Sequence, residues 1–420
     1  MRVKIAVIGS GISGLTCAYY LSKAHDVTVF ESAARIGGHT ATVDVQLGPR
    51  KYAIDTGFIV YNDWTYPNFI ELLNELGVSS KATSMGFSVK DSATGLEYSG
   101  SSISALFAQR RNLLSPKFLR MVRDIVAFNK ESQLDLEMGS LRPDETLGEY
   151  LQRRRYSKSF RQWYLIPMAS AIWSASWQAI EAFPAQFFLR FFKNHGLLSI
   201  TNRPQWRVID GGSREYLAPL TARFAHKIIT KAPVTDLERR PNGVRFKAGG
   251  QLYDFDQVVI ATHSDQALAM LKDASTSERS ILGAIPYQRN DVVLHTDDQI
   301  LPRNRKTWTS WNYALTPNRN EAVVTYNMNI LQGLQAPETF CVTLNQTHGI
   351  NPNRILGRFS YDHPVFSLEG IAAQERWDEI NGVNNTWYCG AYWHNGFHED
   401  GVSSALRVAQ TMPKQAQAAA

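Results

Sequence analysis

The chain has 420 residues, 44% of them hydrophobic and 20% charged. That is the composition of an ordinary globular protein and excludes a disordered or fibrous chain. The length suits two or three domains, or one large domain interleaved with another. A net charge of +6 with no accompanying recognition motif gives no reason to expect nucleic acid as a partner. Cys17, Cys341 and Cys389 are too few and too scattered for a disulfide framework or a zinc site, so a reducing compartment and no structural metal are expected.

In chain order, Ile5–Ile8 is a continuous apolar run, as a buried parallel strand requires. Leu15–Ser22 fits an amphipathic helix and Val27–Phe30 a second, β-branched strand. From Pro67 to His195 the pattern turns helical, with candidates at Pro67–Leu76, Ile103–Phe107, Pro116–Ser132, Thr146–Arg154 and Ser159–Ile172. Val89–Tyr98 reads as a hairpin turning at Ala93-Thr94-Gly95. Short strands follow at Ile228–Thr230, Val234–Arg239, Val244–Lys247 and Phe255–Ala261, then at Asp291–Leu294, Thr307–Tyr313 and Ala322–Met328. Trp387–Ala391 is a last apolar strand, Gly401–Met412 a closing helix, and Pro413–Ala420 a frayed tail. Neither a secretory leader nor a membrane span of about 18 apolar residues is visible, so a cytoplasmic location is expected. The basic clusters in Arg110–Arg123, Arg153–Arg161 and around Arg190 read either as solvated helix faces or as a peripheral contact with anionic lipid at the inner membrane surface.

Gly9-Ser10-Gly11-Ile12-Ser13-Gly14 spells GxGxxG between a predicted strand and helix, and Glu31, followed by Ser32, ends the next strand. That context is what a dinucleotide site needs. Gly9 permits the tight turn, Gly11 admits a pyrophosphate, and Gly14 lets helix and strand pack closely. The helix start at Ile12 and Ser13 offers N–H groups to phosphate. Glu31 is placed to accept both hydroxyls of an adenosine ribose.

Downstream stands Arg35-Ile36-Gly37-Gly38-His39-Thr40. Here the sequence resembles the flavin amine oxidase superfamily, which includes phytoene desaturases and protoporphyrinogen oxidase. The resemblance implies non-covalent FAD, with Arg35, Gly37 and Gly38 toward phosphates and flavin. His39 stands where amine oxidases often carry Arg. Asp55-Thr56-Gly57, with Phe58, resembles the turn that brings backbone to the flavin. Gly211-Gly212-Ser213 with Tyr216 and Leu217 resembles re-entry into the FAD domain. Val234 falls where the family meets the adenine end, and Ala261 and Thr262 end a strand against the nucleotide. Gly390 to Val402 resembles the segment passing the flavin. Gly401 and Val402 are its candidate N–H donors to the reduced ring, and Glu399 and Asp400 read as flavin neighbours or as a capping pair. Covalent attachment through Cys389 is conceivable, but a buried core thiol fits its strand better.

The implied fold is α/β: a Rossmann-type FAD-binding domain from residues 1–66, 205–285 and 380–412, interleaved with an α+β substrate domain, 67–204 and 286–379, having an antiparallel sheet and helices. There is no second GxGxxG and no CxxC, which argues against a pyridine-nucleotide disulfide reductase. Aromatic Tyr164–Trp177 and Phe183–Phe192 read either as core or as the wall of a site for a long aliphatic or lipid-like, hydrophobic substrate. The pattern, with Leu294-His295-Thr296-Asp297 and Phe397-His398-Glu399-Asp400-Gly401, resembles bacterial flavin oxidoreductases that accompany cyclopropane-fatty-acid-synthase-type methyltransferases, and only this resemblance implies a fatty-acyl substrate and such a methyltransferase as partner. Dehydrogenation by hydride transfer is expected, with His394 or His398 as acid–base candidates and Tyr392 and Trp393 near the flavin. Amine oxidation is the runner-up; its usual strand Lys is missing from Asn290–Leu294. A third reading is an FAD-bearing, non-catalytic partner of a lipid methyltransferase.

Overall fold

The computed structural model describes residues 2–317 and 320–418. A five-stranded sheet lies at its centre, in the spatial order Ile228–Ile229, Asp26–Phe30, Lys4–Ile8, Gln257–Ile260, Thr386–Tyr388. Every pairing is parallel, with Ile5 opposite both Val27 and Gln257, and Val258 opposite Thr386. Lys4–Ile8 is covered on both faces, which is why it reads as unbroken hydrophobicity. Helices Ile12–Leu21 and His398–Ala418 pack together, their contact passing through Gly401, where an added Cβ would come within 2.8 Å of Ile12 and Ser13. An antiparallel meander, Val234–Arg240, Gly243–Ala248 and Gln251–Phe255, packs its aromatics edge-on against Phe30.

A second sheet has seven strands, in the order Ile355–Pro364, Tyr287–His295, Cys341–Leu344, Val324–Asn327, Trp311–Leu315, Phe87–Asp91, Leu96–Ser99. It is antiparallel except for Trp311–Leu315 beside Phe87–Asp91. The chain between those two strands runs through a long helical crossover, as a parallel pair requires. The helices between residues 103 and 194 build an aromatic core of their own around Phe128, Phe160, Phe183 and Phe188.

Local chemistry explains where element limits differ from expectation. Pro116–Met138 runs six residues past Ser132, to Gly139 in the left-handed region that ends helices. The expected Ser159–Ile172 helix contains a π turn at Arg161–Leu165. Pro167 has no N–H to send to the Trp163 carbonyl, which accepts the Tyr98 hydroxyl at 2.6 Å instead. Residues Arg305–Thr307 form a 3-10 turn, so that strand begins only at Trp311. The last strand stops at Tyr388. The closing helix starts at His398 rather than Gly401, because Asp400 in its first turn accepts the Phe397 N–H at 2.8 Å. It runs to Ala418.

Candidate cofactor and active site

The strand Lys4–Ile8 delivers the chain into a turn where three glycines do different work. Gly9, at φ +104°, lies so close to Ala261 that a Cβ would stand 2.8 Å from its carbonyl oxygen. Gly14 is tighter: its Cβ would fall 2.0 Å from the Gly9 carbonyl oxygen. Gly11 differs, with nothing within 4 Å of the Cβ position. It caps the helix in extended geometry, and the first intrahelical bond is Leu15 N–H to Gly11 O. The N–H groups of Ile12, Ser13 and Gly14 therefore have no intrahelical acceptor and face the space beside Gly11. Gly38 stands over that space, its Cβ position 3.2 Å from Gly11 Cα.

At the outer end, Glu31 organises the loop that follows the second strand. One oxygen accepts Ser10 N–H at 3.0 Å and the Ser10 hydroxyl; the other accepts Ala33 N–H at 2.8 Å and the Ser32 hydroxyl at 3.2 Å. Lys231 and Ala232 pair with Ala33 and Glu31 by backbone bonds, which brings Val234 to this edge. Arg35 lies exposed and donates to the carbonyls of Gly38 at 2.8 Å and Thr40 at 3.2 Å. Its guanidinium thus clamps the Gly37-Gly38 turn.

Beyond the turn, His39 to Ala41 runs against Thr56-Gly57-Phe58. Phe58 N–H donates to His39 O at 2.8 Å, and a Cβ on Gly57 would fall 2.1 Å from that oxygen. Thr56 shares a hydrogen bond with the Tyr361 hydroxyl at 3.0 Å. The His39 ring lies 5.1 Å from Tyr361, 5.4 Å from His363 and 6.1 Å from His263. His263 in turn stacks on Tyr287 at 4.3 Å. Buried His39 Nε2 and His263 Nδ1 have no partner within the chain. Burial pulls all three imidazoles below their usual range, His363 to about 4. They are neutral at physiological pH.

Asp55 ties these pieces together. Its buried carboxylate accepts the Thr42 hydroxyl at 2.6 Å, Ser213 N–H at 2.9 Å and the Gln332 amide at 3.2 Å, and burial raises it to about 6. The Gly211-Gly212-Ser213 motif therefore anchors to Asp55, while Tyr216 reaches Thr40 and lies 3.2 Å from His398 Nε2.

Three comparisons bear on this geometry. The sequence profile described as flavin containing amine oxidoreductase matches residues 12–310. The chain belongs to that family. No curated protein matches the sequence. Among solved structures, cyclohexylamine oxidase from Brevibacterium oxydans IH-35A superposes with a TM-score of 0.71 at 16% identity, over 99% of this chain and 100% of that one. A fatty acid isomerase from P. acnes that produces CLA gives 0.71 at 16% identity over 97% and 98%. Putrescine oxidase gives 0.67 at 13% identity over 99% of each. At these identities they establish the fold, the mixed α/β architecture of the family.

The protein is accordingly an FAD-dependent oxidoreductase, and its residues fit the cofactor. Gly11 leaves the only void among the three motif glycines, where a diphosphate must approach. The partnerless His39 Nε2 lies just past the glycine turn, a buried polar group needing a ligand atom. Cys389 is fully buried, and a hydrogen bond with it, together with burial, pushes the Cys17 thiol well up. It faces the first helix and is a core thiol, as its strand position suggested.

At the closing segment several sequence-based roles need correction. Gly401 N–H is spent on Phe397 O at 3.0 Å, and Val402 is buried in the second turn, so neither is a free donor. The donors without intrahelical acceptors belong to His398, Glu399 and Asp400. Glu399 caps a different helix, Pro67–Glu75, accepting Asn68 N–H at 3.1 Å and Phe69 N–H at 2.9 Å. His398 is not a free acid–base group: it stacks on Phe58, its Nε2 is engaged by Thr40 and Tyr216, and burial holds it near 3. His394 is solvent-exposed, outside the packed interior. Tyr392 and Trp393 are both buried, with hydroxyl and indole N–H unpartnered, and Gly390 passes under the Tyr392 ring. His295 serves the sheet, within 2.7 Å of Thr343. Sequence reasoning missed His263, His363, Tyr361 and Tyr287. His263 follows Thr262 directly and was within reach; the others come from the far sheet and carry no local signal.

Proposed function

We propose that this oxidoreductase removes a hydride from a C–H bond of a hydrophobic substrate bearing a fatty-acyl or similarly long apolar chain. The observation that supports the reading is continuous aromatic packing from helix Ala185–Asn194 to the start of the closing helix. Phe191 stacks on Phe397 at 5.2 Å and lies 4.6 Å from Trp173, whose indole N–H reaches the Asn395 carbonyl at 3.4 Å. A cavity of about 420 Å³ opens beside Phe397, lined also by Trp64, Tyr66, His195, Glu399 and Asp400.

The charged groups there do not favour an ammonium. Glu399 is saturated by Asn68 and Phe69, and burial raises Asp400 to about 7, leaving it largely protonated below neutrality. His195 is buried and held near 4, hence neutral. Bound FAD supplies the two-electron acceptor. The chain's contribution is to hold the diphosphate at Gly11, exclude water with its aromatic wall, and present neutral imidazoles at His39, His263 and His363.

Amine oxidation is the second reading. An ionised Asp400 would pair with a substrate cation above pH 7, and two of the superposing structures are amine oxidases by name. Anaerobic mixing of the FAD-loaded protein with two panels separates them. Bleaching of the visible flavin bands by long-chain acyl lipids, with none by primary or secondary amines, is expected. Bleaching by amines alone refutes the proposal.

A further inference from the structure

The 3-10 turn Arg110–Leu114 and the helix Pro116–Met138 present outward a mixture of large apolar and basic side chains. Leu113 is 51% exposed, Leu114 86%, Leu119 43% and Val126 55%. Leu119, Arg123, Val126 and Lys130 fall at i, i+4, i+7 and i+11, one line along the helix. Arg110, Arg111 and Lys117 border the leucines and are exposed as well. The acids of this helix offset only part of the positive charge of the face. Asp124 is buried, held by Arg120 at 3.0 Å and by Ser157 N–H at 2.9 Å, and lies 3.9 Å from Arg123. Glu131 accepts the Tyr156 hydroxyl at 2.6 Å, and Glu137 pairs with Lys193 at 3.1 Å, at the far end.

We propose that this face docks on a bilayer carrying anionic headgroups. Apolar side chains flanked by cations are the pattern that enters the headgroup boundary, the leucines dipping below and the basic groups meeting phosphate. A second copy is a poorer occupant, because a two-fold contact would set the same cations against each other. Nucleic acid would leave the leucines without a partner and finds no aromatic platform here. Among the described residues no helix is long and apolar enough to cross a membrane, so the attachment is peripheral. The far end of this helix meets the aromatic helix Ala185–Asn194 through the Glu137–Lys193 pair. That neighbourhood suits a lipid-chain substrate, but the docking does not depend on one.

The test is co-sedimentation of the FAD-loaded protein with sucrose-filled vesicles. Vesicles of phosphatidylglycerol and phosphatidylethanolamine should retain the protein at least about tenfold better than pure phosphatidylcholine, and 0.5 M salt should remove most of that preference, roughly as polybasic segments behave. Soluble glycerol phosphate should not compete, since it offers no apolar boundary. Leu113→Ser with Leu114→Ser, and separately Lys117→Glu with Arg123→Glu, should each cut retention about tenfold with flavin spectrum and melting temperature unchanged. No retention on anionic vesicles, retention of both variants equal to that of the wild type, or a concentration-dependent dimer that the charge variant abolishes would overturn the proposal. Because no turnover is measured, a failed substrate panel leaves this result standing.

Discussion

Gly11 and Gly14 are three residues apart in one motif, and the structure assigns them separable duties. An Ala at Gly14 puts its Cβ 2.0 Å from the Gly9 carbonyl oxygen and 3.1 Å from Ala261 Cβ. Because the first contact is backbone, the helix must move away from the strand. Overpacking of this kind costs about 1–3 kcal/mol and sometimes more. An Ala at Gly11 meets nothing within 4 Å, and φ −69° with ψ 179° is open to any L residue. Its only cost to the empty fold is a poorer helix cap, at most about 1 kcal/mol. The added methyl does, however, occupy the space through which a diphosphate reaches the Ile12–Gly14 amides.

Thermal unfolding with and without FAD tells the two apart. At free FAD one hundred times its Kd, the wild type should gain about 2.7 kcal/mol of stability. If Gly11→Ala weakens binding tenfold, the same FAD concentration returns only about 1.4 kcal/mol. The apo protein should melt close to wild type. Gly14→Ala should instead lower the apo transition itself. The reasoning is refuted if Gly11→Ala binds FAD as tightly as wild type, or if its apo form is destabilised as much as Gly14→Ala.

Three further substitutions, one of them with a control, probe other parts of the molecule. Glu31→Gln should weaken FAD by about 1.5–3 kcal/mol, the range for hydrogen bonds to a charged group; an unchanged Kd in a fluorescence titration excludes its adenosine role. Asp400 is raised to about 7 in the fold from 3.8, so its ionisation should erode stability from about pH 4 to about pH 7, at about 1.4 kcal/mol per pH unit, levelling above. Asp400→Asn should match wild type near the acid end of that window in urea titrations and exceed it increasingly toward neutrality; a constant offset at every pH argues against a buried protonated carboxyl. Gly401→Ala should lower the melting temperature by crowding Ile12 and Ser13 at 2.8 Å, whereas Gly283→Ala, whose nearest neighbour is 3.9 Å away, should not. Equal effects would mean that helix propensity, not the crossing, dominates.

The geometry of the candidate nucleotide turn was legible in the sequence because its steric demands are local. Gly9, Gly11, Gly14 and Glu31 lie within 23 residues, and each glycine answers a steric demand of the strand–turn–helix that contains it. The flavin end was only half legible. Gly37, Gly38, Thr56 and Gly57 carry a recognisable backbone pattern, but the side chains that meet them come from remote strands: Tyr361 and His363 close the long strand Ile355–Pro364, and Tyr287 opens its partner. Nothing in hydrophobic period distinguishes those positions from ordinary sheet residues, so topology alone brings them to His39. The errors at the closing helix have a different cause. Phe397-His398-Glu399-Asp400-Gly401 reads as a loop before a helix because polar residues crowd it. Yet Asp400 caps the first turn, Glu399 caps a neighbouring helix, and His398 stacks on Phe58. Each polar group is consumed by packing rather than left for chemistry. Buried atoms without a partner occur in several places, Tyr392 and Trp393 among them, but His39 Nε2 and His263 Nδ1 belong to rings 6.1 Å apart beside the glycine turn, and that pairing marks the candidate ligand site better than the exposed or saturated histidines do.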